Sequence, residues 1–575
     1  MHVFRVFSMV LFLFGFINSY AQKSDIQYHF APPLDIPLFL SGNFGELRST
    51  HFHSGIDFKT QQQVGKNVYA SDMGYISRIK VQSGSYGKSL YIAHPGGFTT
   101  VYAHLNEFMP EIAAYITNYQ YAVKKFEIDV YPARNEFTVS KGQFIALSGN
   151  TGNSGGPHLH FEIRDSNQNP LNALQFNFNI KDNIRPEIVN MAIYPANAYN
   201  SLVNGKADKL ILKPLKVNGD YALKDTMYIS GKAGFGIETY DYLNGSGNKC
   251  TVYSIELSVN DMVYYYHQMD KFSFDEVKYI RSHIDYEEYM LQKIKLHRLF
   301  PAPNNKLGIY KKLKDGGVVS FYPDSVYRVK IVVKDTYLNT SVLRFVARGA
   351  APALIEPRYS QDSSFIKTFF YHQYNNYLTG DFRISMPPNT LFENINFTYS
   401  AREVDSLSYS PLHFVHSDLV AVCGSYTLAL QAENVPVRYR TKALIACIDR
   451  ENKSSAAGGT WQNGFVESSV AKFGKFYIAI DTVSPVIIPL RFKNNGTYTH
   501  GDLLTFKITD DFSGIKSYNG YIDNEWALFE YDAKDDLLSY KLDTTRIKGQ
   551  GLHSIEVVVV DERNNIAVYR STFYN

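Results

Sequence analysis

Two histidines two residues apart, His158 and His160, follow a glycine-rich run that extends from Gly149 to Gly156. The segment His158-Leu159-His160-Phe161-Glu162 reads as a β-strand, on which residues i and i+2 face the same side. Both imidazoles then look into one space, while Leu159 and Phe161 enter the core behind them. Upstream, His53-Ser54-Gly55-Ile56-Asp57 supplies a partner. Four residues is an even offset in extended chain, so His53 and Asp57 also share a face. Histidine and carboxylate are common zinc ligands, and three protein ligands with one open position is the pattern of catalytic zinc. The residues therefore point to a Zn2+ site made by His53, Asp57 and His160. His51 stands at i−2 from His53 and is the alternative ligand. His53 is preferred because only it has a carboxylate four residues on; His51 is read as a neighbour that packs or lines the cleft.

Zinc held by two neutral imidazoles and one carboxylate keeps a net positive charge. It lowers the pKa of a bound water toward about 7 and polarises a peptide carbonyl. Other groups must still orient the water and handle its proton. Helical His-Glu-x-x-His metalloproteases use a glutamate for this, and the chain has no such motif. The candidates are His158, beside the ligand His160, and His104, at the end of the strand-like run Phe98 to Leu105, because imidazole titrates near neutrality.

The elements that must position these residues are mostly strands. Tyr and Phe number 44 and 39 against 2 Trp, and such residues fit pleated, half-buried surfaces. A chain of 575 residues predicts three to five domains. The net charge of +3, without a dense Lys/Arg stripe, gives no support for nucleic acid as a partner. Residues 1–21 read as a secretory signal: a weakly positive start, an apolar run from Val6 to Phe16, and Ser19-Tyr20-Ala21 before a mature Gln22. The expected location is the periplasm or cell envelope, with secretion as an alternative. No later stretch is long and apolar enough for a transmembrane helix. Cys250, Cys423 and Cys447 are too few for a disulfide framework; Cys423 and Cys447 are able to pair, but buried thiols are the better reading.

Along the chain, Val68 to Ile79 looks like a hairpin around Asp72-Met73-Gly74, and His94 beside a turn looks exposed. Met109 to Lys125 has apolar residues near helical spacing and reads as a helix in an insertion, about 106–137, that either covers one side of the cleft or only packs, with no role in binding. Val139 to Leu147 returns to the β pattern and leads into the glycine-rich run.

With these residues together, the chain resembles the lysostaphin/LytM-type zinc metalloendopeptidases. The resemblance rests on His53-x-x-x-Asp57 with Gly55, on Tyr102-Ala103-His104-Leu105, and on Gly156-Pro157-His158-Leu159-His160-Phe161-Glu162. Three motifs in the right order cover roughly residues 40–175. The resemblance implies an antiparallel β-sheet with the metal in a groove, cleavage of peptide bonds in bacterial peptidoglycan, and His104 and His158 flanking the metal water and stabilising the oxyanion. Some members of that family have lost ligands and act as silent envelope-binding or activator proteins. All five positions are intact here, which favours an enzyme.

From Lys181 the character changes. Asp182-Asn183-Ile184-Arg185-Pro186 opens one β segment and Asp481-Thr482-Val483-Ser484-Pro485 opens another. Tyr327 to Asp335 with Asn339 parallels Ser554 to Asp561 with Asn565, an internal repeat. Strands at regular spacing suggest immunoglobulin-like β-sandwiches. The expected plan is mainly β: a signal peptide at 1–21, a LytM-like peptidase domain at 22–180, immunoglobulin-like sandwiches at 181–349 and 481–575, and a β-rich domain of unclear type at 350–480. The first sandwich carries an insertion near 271–313, with Tyr286 to Leu299 read as helical, and Ser454 to Gly459 is read as a mobile loop. The sandwiches are candidates for binding glycan or an envelope protein partner.

Overall fold

The computed structural model describes residues 28–176, 178–196, 201–351, 365–403 and 409–575. The expected signal segment, 1–21, lies outside them. The molecule is mainly β, as the abundance of Tyr, Phe and β-branched residues predicts. No helix among the described residues is long and apolar enough to cross a membrane.

The first unit holds strands β1 (Leu40–Gly42), β2 (Ile56–Lys59), β3 (Asn67–Tyr69), β4 (Gly74–Val81), β5 (Lys88–Ala93) and β6 (Thr99–Phe108). Helix α1 (Pro110–Val123) follows, then β7 (Ile128–Val130), β8 (Thr138–Val139), β9 (Phe144–Ser148) and β10 (His158–Arg164). The sheet runs β1-β2-β10-β6-β5-β4-β7. Its neighbouring strands are antiparallel, so the last of the named strands, β10, lies between β2 and β6. Behind it Phe58, Phe161 and Phe178 pack with ring centroids 5.5–6.1 Å apart. Full burial of such side chains contributes about 1.5–3 kcal/mol each.

Helix α1 starts at a proline, whose fixed φ suits the first turn, and ends where Lys124 turns left-handed at φ 51°. It buries Ile112 and Ile116 against the sheet. The segment Val68 to Ile79 is not a hairpin. β3 pairs with β9, and β4 pairs with β5, so a local turn signal gave way to a pairing some 75 residues distant. His94 is buried rather than exposed: its Nδ1 meets the Met73 carbonyl and its Nε2 meets Thr100 Oγ1, both at 2.8 Å.

Strands Glu187–Pro195, Met227–Tyr240, Thr340–Gly349, Val326–Lys334, Ser254–Val259 and Met262–Gln268 follow one another across a second body of sheet. Of the run Tyr286 to Leu299, only Tyr286–Gln292 is helical. Lys293 at φ 60° ends the helix, and His297–Arg298 becomes a strand paired with Ile237 and Gly236. Between 365 and 480, a six-stranded and a five-stranded sheet enclose Phe369, Phe382, Phe397, Leu428 and Phe476. There Ser454–Ala456 is a strand paired with Ala446 to Ile448, not a free loop, and Thr460–Gln462 is another. Residues 486–574 form a four-stranded and a five-stranded sheet around Phe506, Leu538 and Val557. The three cysteines are buried and free.

Candidate metal centre

Cross-strand register brings the first two ligands together. His160 on β10 stands directly opposite Asp57 on β2 and, on its other side, opposite Ala103 on β6. Directly opposed residues share a face. His53 lies in the approach to β2, where its Nδ1 donates to the Asn43 carbonyl at 2.8 Å. That bond fixes the tautomer and leaves the Nε2 lone pair free. His160 is fixed the other way: its Nε2 donates to Glu162 Oε1 at 2.9 Å, which turns Nδ1 toward Asp57 Oδ1, also at 2.9 Å. The three facing atoms are His53 Nε2, Asp57 Oδ1 and His160 Nδ1, separated by 2.9–3.0 Å. Zinc bonds of about 2.0–2.1 Å in a tetrahedral site set ligand atoms about 3.4 Å apart, so the triangle need open by only about 0.4 Å. The donor set, two imidazoles with their other nitrogens held and one carboxylate, fits zinc. All three residues are buried.

Burial alone would raise the Asp57 carboxyl, but His53 and His160 hold it well below the usual carboxylate range. Burial pulls His160 down, yet its bonds to Asp57 and Glu162 push it up to about 9. Glu162 behaves like Asp57: burial opposes its charge, and Arg164 and His160 keep it ionised.

His104 and His158 flank the triangle, their ring centroids 4.8 Å apart. His104 Nδ1 donates to the Thr151 carbonyl and His158 Nδ1 to the Gly156 carbonyl, both at 2.8 Å. A carbonyl only accepts, so both rings carry a free Nε2 lone pair. The His158 Nε2 lies 3.6 Å from Asp57 Oδ1. Burial, then the neighbouring His160 and His158, lowers His104 to about 3, and burial also lowers His158. Both are therefore neutral acceptors near pH 7.

His104 reaches this place through a backbone irregularity. Ala103 faces His160, so regular alternation would send His104 to the other side with the buried Tyr102. Its φ of 59° breaks the alternation, and the β6 register shifts across it, between Tyr102 and Leu105, and again between Leu105 and Glu107. A left-handed non-glycine residue costs about 1–3 kcal/mol, and such strain collects at functional sites. The glycine-rich run meets a close approach at Gly152, φ 70°, where a Cβ would stand 2.3 Å from Gly87 N.

The structure thus brings together His53, Asp57, His160, His104 and His158. His51 is exposed and bonds Thr50 Oγ1 instead of joining them. Sequence reasoning missed a supporting set. Glu162 Oε1 also accepts from Ser54 Oγ at 2.6 Å and Tyr86 OH at 2.5 Å. Arg164 Nε donates to Glu162 Oε2 at 2.6 Å, and the Tyr86 ring stacks on His160 with centroids 5.3 Å apart. Arg48 lies 3.3 Å from Asp57 Oδ2 and 3.1 Å from Glu46 Oε2. The signal for Glu162 and Arg164 was available: extending the two-residue period from His158 and His160 gives positions 162 and 164. Nothing local marks Tyr86 or Arg48.

Residues 51–121 and 117–173 match the model of Peptidase family M23, and residues 366–481 match that of a Zu5-like domain. Among curated proteins, the DD-carboxypeptidase/endopeptidase Mpg of Neisseria meningitidis serogroup B is 34% identical over 128 residues, 22% of this chain and 23% of that protein. The peptidoglycan DD-endopeptidase ShyA of Vibrio cholerae is 31% identical over 153 residues, 25% of this chain and 29% of that protein. The match therefore spans less than a third of either relative. A solved zinc-containing peptidase from Vibrio cholerae shares 26% identity, covering 26% of this chain and 40% of that one, with a TM-score of 0.19.

Proposed function

We propose that this protein, which carries a LytM-type Peptidase family M23 domain at residues 51–173, is an exported zinc-dependent endopeptidase that hydrolyses peptide bonds in bacterial peptidoglycan. The observation that carries the reading is the triangle of His53 Nε2, Asp57 Oδ1 and His160 Nδ1 beside two histidines with free Nε2 atoms. The relatives named as peptidoglycan endopeptidases support the substrate class. The domain plan expected from the sequence, with a cleaved signal segment and immunoglobulin-like modules after the peptidase, is part of the proposal. So is a role for those modules in holding the wall or an envelope partner.

His53, Asp57 and His160 would hold the zinc. When bound, zinc supplies Lewis-acid polarisation of the scissile carbonyl and acidifies water. The chain's own residues do the rest. Asn43 and Glu162 hold the two ligand imidazoles in their tautomers. Of His104 and His158, both neutral and aimed by the Thr151 and Gly156 carbonyls, one accepts the proton of the attacking water at Nε2. That protonated ring donates a hydrogen bond to the developing oxyanion and then gives the proton to the leaving amine.

The test is digestion of purified peptidoglycan by the zinc-loaded protein, with mass analysis of the products, beside His160→Ala and His104→Ala. New amine ends from the parent alone support the reading. Variants that digest as well as the parent refute the assignments. An unaltered digest with every protein indicates a binding module.

A further inference from the structure

The two repeat segments noted in the sequence end at corresponding places in the fold. In residues 187–349, Asp335 closes strand Val326–Lys334; in residues 486–574, Asp561 closes strand Leu552–Asp561. Each is joined by two more aspartates. One oxygen each from Asp182, Asp241 and Asp335 lies within 4.8 Å of the others, and the same holds for Asp481, Asp510 and Asp561.

Two of the three aspartates in each triad are wired alike. Asp182 Oδ1 accepts from Ile184 N and Asp481 Oδ1 from Val483 N, both at 3.1 Å. Asp335 Oδ1 accepts from Asn339 N and Asp561 Oδ1 from Asn565 N, both at 2.8 Å. The Asn339 amide then bridges Asp335 Oδ2 at 2.7 Å and the Asp182 carbonyl at 3.3 Å. The Asn565 amide bridges Asp561 Oδ2 at 2.6 Å and the Asp481 carbonyl at 3.1 Å. What remains in each triad is two buried carboxylate oxygens that no donor reaches: Asp182 Oδ2 with Asp241 Oδ1, and Asp481 Oδ2 with Asp510 Oδ1. Asp241 is 2% exposed and Asp481 3%. A buried carboxylate oxygen without a donor is costly, and three carboxylates together repel one another. One cation answers both problems. Oxygen-only ligands select a hard cation, and three carboxylates in one place suit calcium, which takes oxygen ligands in flexible geometry and accepts water for the rest.

Both triads sit at junctions. Leu243 and Cys250, after Asp241, and Tyr337, after Asp335, pack against the core of the first unit. At the second triad, Lys442 Nζ bonds the Arg563 carbonyl and Asn565 Oδ1, and Arg563 reaches back to the carbonyls of Ala443 and Gly459.

We infer that each triad binds one calcium ion, through Asp182, Asp241 and Asp335 at the first junction and Asp481, Asp510 and Asp561 at the second. The ions lock the β-rich units to their neighbours.

The experiment strips the full chain with a chelator, restores one equivalent of zinc, then measures calcium and zinc per chain after dialysis against micromolar to millimolar calcium. The expected parent value is two calcium ions. Asp241→Asn and Asp510→Asn, nearly isosteric, each lose one, and the double variant loses both, with zinc content and circular dichroism unchanged. Limited proteolysis should cut the linkers near 181–186 and 481–485 faster in the stripped protein. A folded parent that takes up fewer than two calcium ions overturns the inference. So do variants that keep both ions, or displacement of calcium by equimolar magnesium. The parent stoichiometry stands even if a variant fails to fold.

Discussion

Glu162→Gln tests whether the groups behind His160 set the metal site. Glu162 is fully buried, and its two oxygens are used on opposite sides. Oε1 receives His160, Ser54 and Tyr86, and Oε2 receives Arg164. Every one of these partners donates. A glutamine fills the same volume but has one oxygen and one NH2, so in either orientation a donor faces a donor. If the amide oxygen stays with His160, Arg164 loses its charge partner in a place where its own side chain is only 7% exposed. If it turns to Arg164, His160 loses the acceptor that aims Nδ1 at Asp57. Loss of such a supporting partner typically lowers metal affinity 10–100-fold, about 1.4–2.7 kcal/mol. The uncompensated Arg164 adds a folding cost on the order of 3–5 kcal/mol. The assays are zinc competition with a fluorescent chelator and urea unfolding of the zinc-loaded protein. The stability loss is expected in either orientation, because Arg164 loses its charge partner in both, and the zinc loss is expected where the amide oxygen turns to Arg164. Unchanged stability together with zinc affinity within about twofold of the parent would refute the claim that Glu162 supports the site.

His104→Ala should lower peptide hydrolysis by about 10²–10⁴-fold while leaving bound zinc unchanged. A parallel loss of zinc would instead make His104 a ligand. The third prediction concerns pH. His413 is held at about 4 by burial, against about 6.5 when exposed; its Nδ1 bonds Tyr399 OH at 2.9 Å and its Nε2 has no partner. The unfolded chain takes up its proton first as pH falls, so stability present above about 6.5 is lost toward 4, by about 3 kcal/mol. Urea midpoints for residues 366–481 at pH 7.5 and 4.5 should differ by at least that much, and His413→Gln should remove its share while leaving that of His416, which burial also holds at about 4. An unchanged slope in that variant would refute the assignment.

How far the site could be read in advance depends on whether a residue obeys strand alternation. Asp57 and His160 do, and their meeting follows from period two plus one cross-strand register. Extending the period would also have reached Glu162 and Arg164. His104 is different: its motif drew attention to it, but its direction depends on a left-handed backbone that alternation hides. Tyr86 and Arg48 come from turns and lead-in segments whose partners are distant in sequence, so no local pattern marks them. The misread hairpin at 68–79 and the exposed reading of His94 fail for the same reason. In each, Gly and Pro turn signals were visible while the long-range strand or hydrogen-bond partner was not.

The segment that carries His53 is held from outside the peptidase unit. Phe44 and Phe52 precede His53 in sequence, and both pack on Phe272, with ring centroids 5.0 and 5.5 Å away. Lys295 Nζ caps the Leu47 carbonyl between them, and Asn43, which orients His53, exchanges bonds of 2.8 and 2.9 Å with the Thr251 main chain. Lys534 Nζ likewise holds the Asn150 carbonyl at 2.8 Å in the glycine-rich run that leads to His158. Both segments are therefore held by β-rich units downstream. Phe272→Ala removes a ring that is 2% exposed and touches no candidate ligand. Its cavity should cost about 3–5 kcal/mol of stability. If the downstream unit only tethers the peptidase, zinc affinity and turnover per zinc-loaded molecule will be unaffected at temperatures where the variant stays folded. If it positions His53, zinc affinity falls in the folded variant while Lys534→Ala leaves it intact. Equal zinc affinity in Phe272→Ala and the parent would refute the positioning role.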